Sequence, residues 1–161
     1  MRPDLVTSSF LCETPEQTFQ LGEEAGKKAK PGEVWCLTGG LGAGKTLFVK
    51  GMAKGLGFEG TVTSPTFNLQ NIYEGHLPLY HFDWYRLNQS REVEDIGWSE
   101  WLSREGVVVV EWGDKFMNLF PPQVIKMAFE PYTENGRRLI LEGKHEESIP
   151  RVQEIILCWP L

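Results

Sequence analysis

The stretch Gly39-Gly40-Leu41-Gly42-Ala43-Gly44-Lys45-Thr46 decides how this chain is read. It fits the pattern G-x-x-x-x-G-K-[ST], that of a phosphate-binding P-loop. Glycines let a backbone turn tightly enough for successive N–H groups to converge on phosphate oxygens. A helix starting at the end of the loop adds unpaired N–H groups and the positive end of its dipole. In this pattern Lys45 reaches the β- and γ-phosphates and the Thr46 hydroxyl sits on Mg²⁺. Gly39, Gly40, Leu41, Gly42, Ala43, Gly44, Lys45 and Thr46 are therefore the first candidate nucleotide-binding residues.

The flanks have the strand–loop–helix order that such a loop requires. Upstream, Glu33-Val34-Trp35-Cys36-Leu37 is a short β-prone run entered by the Pro31-Gly32 turn. Downstream, Leu47, Phe48, Ala53 and Leu56 fall at helical spacing, and Gly55 and Gly57 are stop signals. An earlier helix starts at Thr14-Pro15-Glu16-Gln17, where Thr14 caps, Pro15 suits the first position and Gln17 completes a capping box. Pro31 bounds it. Residues 68–73 and 77–84 read as strands joined by Glu74-Gly75-His76, and residues 92–96 and 99–104 as short helices. Val107-Val108-Val109-Val110 reads as a strand buried on both faces and as the parallel neighbour of the P-loop strand. A strand over 124–129 follows, then a hairpin turn at Asn135-Gly136 leading into Arg138-Leu139-Ile140-Leu141. Residues 150–159 suit a closing helix with Val152, Ile155 and Ile156 inward. This order predicts one α/β domain over residues 1–161. It has a P-loop NTPase fold, with a mixed sheet of parallel core and antiparallel strands, flanked by helices.

Charge and composition narrow the function. The chain has 161 residues, enough to bury a sizeable core, and a net charge of −6. With no basic run visible, a tight grip on nucleic acid through phosphates is disfavoured. No apolar stretch approaches the length of a membrane span, and Met1-Arg2-Pro3-Asp4 lacks the plan of a signal peptide. Cys12, Cys36 and Cys158 give neither zinc spacing nor a disulfide framework, which points to a reducing cytoplasm.

A P-loop alone only binds; hydrolysis also needs a metal-holding acid and a group that orients water. Two strand ends qualify. Glu111 follows four valines, where a charge is costly without a task or a partner, and Asp83 sits between Phe82 and Trp84. Either can hold Mg²⁺ with Thr46 while the other polarises the attacking water. Thr63-Ser64-Pro65-Thr66 can form a switch loop whose hydroxyls sense the γ-phosphate or the metal. Arg137, after the Asn135-Gly136 turn, can reach the nucleotide, and Arg86 can serve phosphate or simply pair with an acid. His76 reads as a loop residue and His81 as a packed strand residue. Trp112, beside Glu111, is placed either at the site or in a partner interface.

These pieces, together with Ser64-Pro65-Thr66-Phe67, Tyr80-His81-Phe82-Asp83-Trp84-Tyr85-Arg86-Leu87 and Glu111-Trp112, resemble the TsaE family, also called YjeE. The resemblance covers roughly residues 10 to 145. It implies a cytoplasmic, Mg²⁺-dependent ATPase required for N6-threonylcarbamoyladenosine in tRNA. Such a protein acts with TsaB and TsaD, which speed its hydrolysis of ATP, and contacts tRNA indirectly. By the same resemblance Lys45, Asp83 and Glu111 are catalytic, and Thr46, Glu111 and Asp83 are on the metal side. Thr66 belongs to the switch-like loop and Arg137 to a nucleotide-contacting region. The segment near Thr14 to Glu16 touches the base or ribose. Leu47 and Gly40 stand where the family commonly has a second threonine and an acidic residue; neither change removes a phosphate or metal ligand.

Three other readings compete. A small-molecule kinase needs an acceptor pocket and usually several arginines around the phosphate, whereas the seven arginines here are scattered. A GTPase switch usually carries Asn-Lys-x-Asp, which is absent. A nucleotide-binding scaffold would show no Glu111-dependent phosphate release.

Overall fold

The structure, a computed structural model, describes residues 6–63, 65 and 69–159. The strands are β1 (Val6–Cys12), β2 (Val34–Thr38), β3 (Gln70–Tyr73), β4 (Leu79–Asp83), β5 (Val107–Glu111), β6 (Ile125–Pro131) and β7 (Arg137–Gly143). They form one sheet in the order β1-β7-β6-β2-β5-β4-β3. β2 is parallel to both β5 and β6, and β4 is parallel to β5. Antiparallel pairs β6–β7, β7–β1 and β3–β4 extend this parallel block on both sides. The expected mixed sheet with a parallel core is present, and Val107–Val110 does lie beside the P-loop strand.

The helices are α1 (Pro15–Lys27), α2 (Lys45–Gly55), α3 (Ser90–Asp95), α4 (Trp98–Leu102) and α5 (Ile149–Cys158). Every residue of β2 and β5 is buried, because helices cover both faces of the parallel block. On one face Trp35, Leu37, Val107 and Val109 pack with residues of α1, α2 and α5. On the other, Val34, Val108, Val110 and Phe82 pack with Val93 and Trp98 of α3 and α4. Alternation along β5 thus sends Glu111 to the face that carries α2. Asp83 is paired with Glu111, and His81 with Val109, so both point the same way.

Three local features differ from the sequence expectation. β1 is an added edge strand, hidden because Ser8 takes an inward position where an apolar residue would show alternation. Gln17 accepts from the Glu13 N–H at 2.6 Å, one residue before the cap. Asn135-Gly136 does not centre a two-residue turn. Gly136 closes a longer loop, its carbonyl accepting from the Tyr132 N–H at 3.2 Å and its own N–H donating to Thr133 Oγ1 at 2.8 Å.

α1 and α2 touch backbone to backbone. A Cβ at Gly22 would collide with the Phe48 carbonyl, and one at Gly26 with that of Met52. Reciprocally, a Cβ at Gly51 would strike the Phe19 carbonyl, and one at Gly55 that of Glu23. This seam fixes α2, and hence the N-terminus that follows the P-loop, against α1. A Gly→Ala change in a helix interior ordinarily stabilises by about 0.5–1 kcal/mol. Here the sign should reverse. Gly51→Ala is expected to destabilise by about 1–3 kcal/mol through overpacking, measured by urea denaturation. Gly40→Ala, where a Cβ meets no atom within 4 Å, should stay within about 0.5 kcal/mol of the parent. A stabilised Gly51→Ala protein would contradict the seam.

Candidate active site

The loop over residues 39–44 departs from β2 and enters α2 through residues in the left-handed region. Gly39 has φ +139°, Gly42 +72° and Gly44 +103°. Gly39 is also pressed against the chain, for a Cβ there would lie 2.7 Å from the Phe129 carbonyl oxygen. Gly44 is the N-cap of α2 and supplies no side-chain cap. The first-turn N–H groups of α2 are thereby left for an anion.

Lys45 is only 4% exposed. Its Nζ donates to the carbonyls of Gly39 at 2.6 Å and Gly40 at 2.8 Å and lies 4.3 Å from the centre of the Trp112 ring. Burial lowers its pKa; the carboxylates of Glu111, Asp83 and Asp114 pull it back up. The ammonium thus rests on carbonyls at the start of its own loop. Thr46 Oγ1 donates to the Glu111 carboxylate, 3.0 Å from Oε1 and 3.1 Å from Oε2. Asp83 Oδ1 accepts from the Tyr85 N–H at 2.9 Å.

Leu41, Gly42, Ala43, Lys45, Thr46, Asp83, Tyr85, Glu111 and Trp112 line one cleft of 380 Å³. Trp112 forms its aromatic wall, stacked on Tyr85 at 4.9 Å between ring centres. Its backbone is in the left-handed region (φ +61°) and its N–H is held by the Leu37 carbonyl at 3.0 Å. Lys115 fixes the turn below Tyr85 by donating to the carbonyls of Tyr85 and of Leu87. A larger groove of 730 Å³ lies near β1 and α5, but its lining holds a single charged side chain, Arg138, and no phosphate loop.

The donor set fits a hard divalent cation. A hydroxyl and two carboxylates stand at the phosphate end of the cleft, and Mg²⁺ typically takes one or two carboxylates with phosphate oxygens and water. Among the described residues no group of three or more His, Cys, Asp or Glu could hold a metal by itself.

The structure brings together Lys45, Thr46, Asp83 and Glu111. Arg137 stands behind the loop instead of lining the cleft. Its Nε and Nη2 donate to the carbonyls of Ala43 (3.2 Å) and Gly42 (3.1 Å), and its Nη1 to that of Gly136 at 2.7 Å. It braces the P-loop against the β6–β7 turn. Thr66, with Ser64 and Phe67, lies outside the described residues. His81 proves to be more than a packed strand residue. Its Nε2 is 2.6 Å from Glu111 Oε2, and its Nδ1 is 3.1 Å from the Tyr73 hydroxyl. The available signal was parity: His81 is two residues before Asp83 on one strand and so shares its face.

No helix among the described residues is long and apolar enough to cross a membrane. The family model described as threonylcarbamoyl adenosine biosynthesis protein TsaE matches residues 12–140. The protein of that name from Treponema pallidum is 39% identical over 129 residues, covering 80% of this chain and 96% of its own length. That of Bacillus subtilis is 40% identical over 126 residues, or 78% of each chain. The crystal structure of Bacillus subtilis YdiB superposes with a TM-score of 0.82 at 29% identity, covering 96% of this chain and 97% of that one. On its sequence and its fold, this chain belongs to the TsaE family.

Proposed function

We propose that this chain is a Mg²⁺-dependent ATPase whose turnover is stimulated by TsaB and TsaD and serves threonylcarbamoyladenosine formation in tRNA. The observation that carries the reading is the meeting of Lys45, Thr46, Asp83 and Glu111 at the uncapped start of α2. The names of the relatives place those proteins in that biosynthesis. The net charge of −6 favours a tRNA contact made through the partners, in the cytoplasm.

The loop amides and the first turn of α2 bind the phosphate tail of ATP. Lys45 exchanges the Gly39 and Gly40 carbonyls for phosphate oxygens. Thr46 and Glu111 would hold the cation, and Asp83, on the neighbouring strand end, would share that task or orient the attacking water. Magnesium, when bound, neutralises charge on the β- and γ-oxygens. Arg137 acts on the nucleotide through the loop it braces. Lys45 is the one cation among the described residues lining the cleft, which favours hydrolysis over transfer to a small acceptor, for which more arginines would be expected.

Lys45→Ala should lower ATP hydrolysis measured with TsaB and TsaD by about 100-fold or more and block repeated tRNA modification. Unchanged multiple-turnover modification would refute the reading. Glu111→Ala should keep the fold, checked by circular dichroism, yet lower Mg²⁺-dependent phosphate release by about 100-fold. Release at the parental rate would remove Glu111 from the site.

A further inference from the structure

An unbroken line of side chains runs from the cleft to the main chain at Thr63. It starts with the 2.6 Å contact between Glu111 Oε2 and His81 Nε2. His81 Nδ1 meets the Tyr73 hydroxyl at 3.1 Å, and that hydroxyl donates to the Thr63 carbonyl at 2.7 Å. Asn71 Nδ2 supports the end of the line, donating to the Thr63 carbonyl at 3.2 Å and to the Tyr73 oxygen at 3.3 Å. Glu111, His81 and Tyr73 are all buried. Both ring nitrogens face a polar partner, and since the Tyr73 proton goes to Thr63, the line closes with the Nδ1–H of His81 donating to the Tyr73 oxygen.

None of these groups is needed to cradle phosphate. Their placement follows from the sheet. β5, β4 and β3 are successive neighbours, and Tyr73 on β3 lies diagonal to His81 because Asn71 pairs with His81 and Tyr73 with Leu79. Glu111 cannot swing toward a new partner beside Thr46 without stretching its contact to His81 or drawing the imidazole along. Tyr73 passes that pull to Thr63, where the chain leaves for β3. Groups that hydrogen-bond a metal-side carboxylate or imidazole fix its orientation and commonly change metal affinity by 10–100-fold when removed.

We propose that His81 and Tyr73 are positioning residues: they hold the Glu111 carboxylate at Thr46 and tie it to the main chain at Thr63, so that a change of partner at Glu111 alters the anchoring of the chain there. In identifying that new partner as the Mg²⁺ of bound Mg²⁺–ATP, the inference rests on the proposed function. The tie itself does not.

Hydrogen exchange on the nucleotide-free full-length chain tests the tie. Tyr73→Phe keeps the ring packed on Phe58 and removes only the hydroxyl. It should raise exchange over residues 59–63 by roughly three- to tenfold, the worth of one hydrogen bond. Glu111→Ala, at the far end of the line, should raise exchange in the same segment, and the double variant should exceed neither single. Unchanged exchange over 59–63 in folded Glu111→Ala, or in Glu111→Gln if the alanine variant does not fold, would overturn the tie. So would single effects that multiply in the double variant.

A second readout is the Mg²⁺ concentration that half-saturates binding of a fluorescent ATP analogue. His81→Asn should raise it by about 10–100-fold while affinity in EDTA stays within about twofold. His81→Gln, whose amide reaches toward Glu111 in place of Nε2, should recover part of the loss. Equal midpoints in His81→Asn and the parent would overturn the positioning role. Failure of the parent chain to bind the analogue at all would sink the ATPase reading, with the exchange measurement still deciding the tie.

Discussion

The bond from Thr46 to Glu111, 3.0 Å long, joins the first turn of α2 to the last residue of β5. It depends on two constraints met at once. Parallel pairing of β2 with β5 sets Leu37 beside Glu111, so the strand that feeds the P-loop ends level with the acid. The glycine seam between α1 and α2 then holds the helix start over that strand end. Loss of either constraint separates hydroxyl from carboxylate and leaves the buried Glu111 with one partner fewer, a costly change.

Around this bond the site is built from polar groups satisfied inside the protein. Lys45 is held by two loop carbonyls and the face of Trp112. Glu111 takes bonds from both Thr46 and His81. Arg137 fixes the carbonyls of Gly42 and Ala43 from behind the loop. Burial depresses the lysine pKa and the neighbouring carboxylates oppose that, so the ammonium is desolvated and acid-flanked at once.

Much of this was legible in the sequence because it is carried by local patterns. The P-loop spacing, the four-valine strand and the acids that end β4 and β5 each announce themselves within a few residues. What was hidden depends on pairing between distant strands. The tie of His81 to Tyr73 and Glu111 exists because β3, β4 and β5 are adjacent; the parity of His81 with Asp83 gives its face, and only the strand order gives its partners. Arg137 looked like a nucleotide contact from its place after a turn. Its carbonyl bonds across to the P-loop require knowing that β7 approaches that loop. β1 was concealed by serines on an edge strand, where weak alternation suffices.

The central claim is that the cleft beside α2 binds a nucleoside triphosphate together with a divalent cation. A crystal structure with a non-hydrolysable ATP analogue and Mn²⁺ measures this most directly, since manganese scatters anomalously and, like magnesium, suits carboxylate, phosphate and water oxygens. The account predicts phosphate density against the amides of residues 42–46 and an anomalous peak between Thr46 and Glu111. A triphosphate seated elsewhere, for example in the larger groove beside β1, with Lys45 still bound to Gly39 and Gly40, would contradict it.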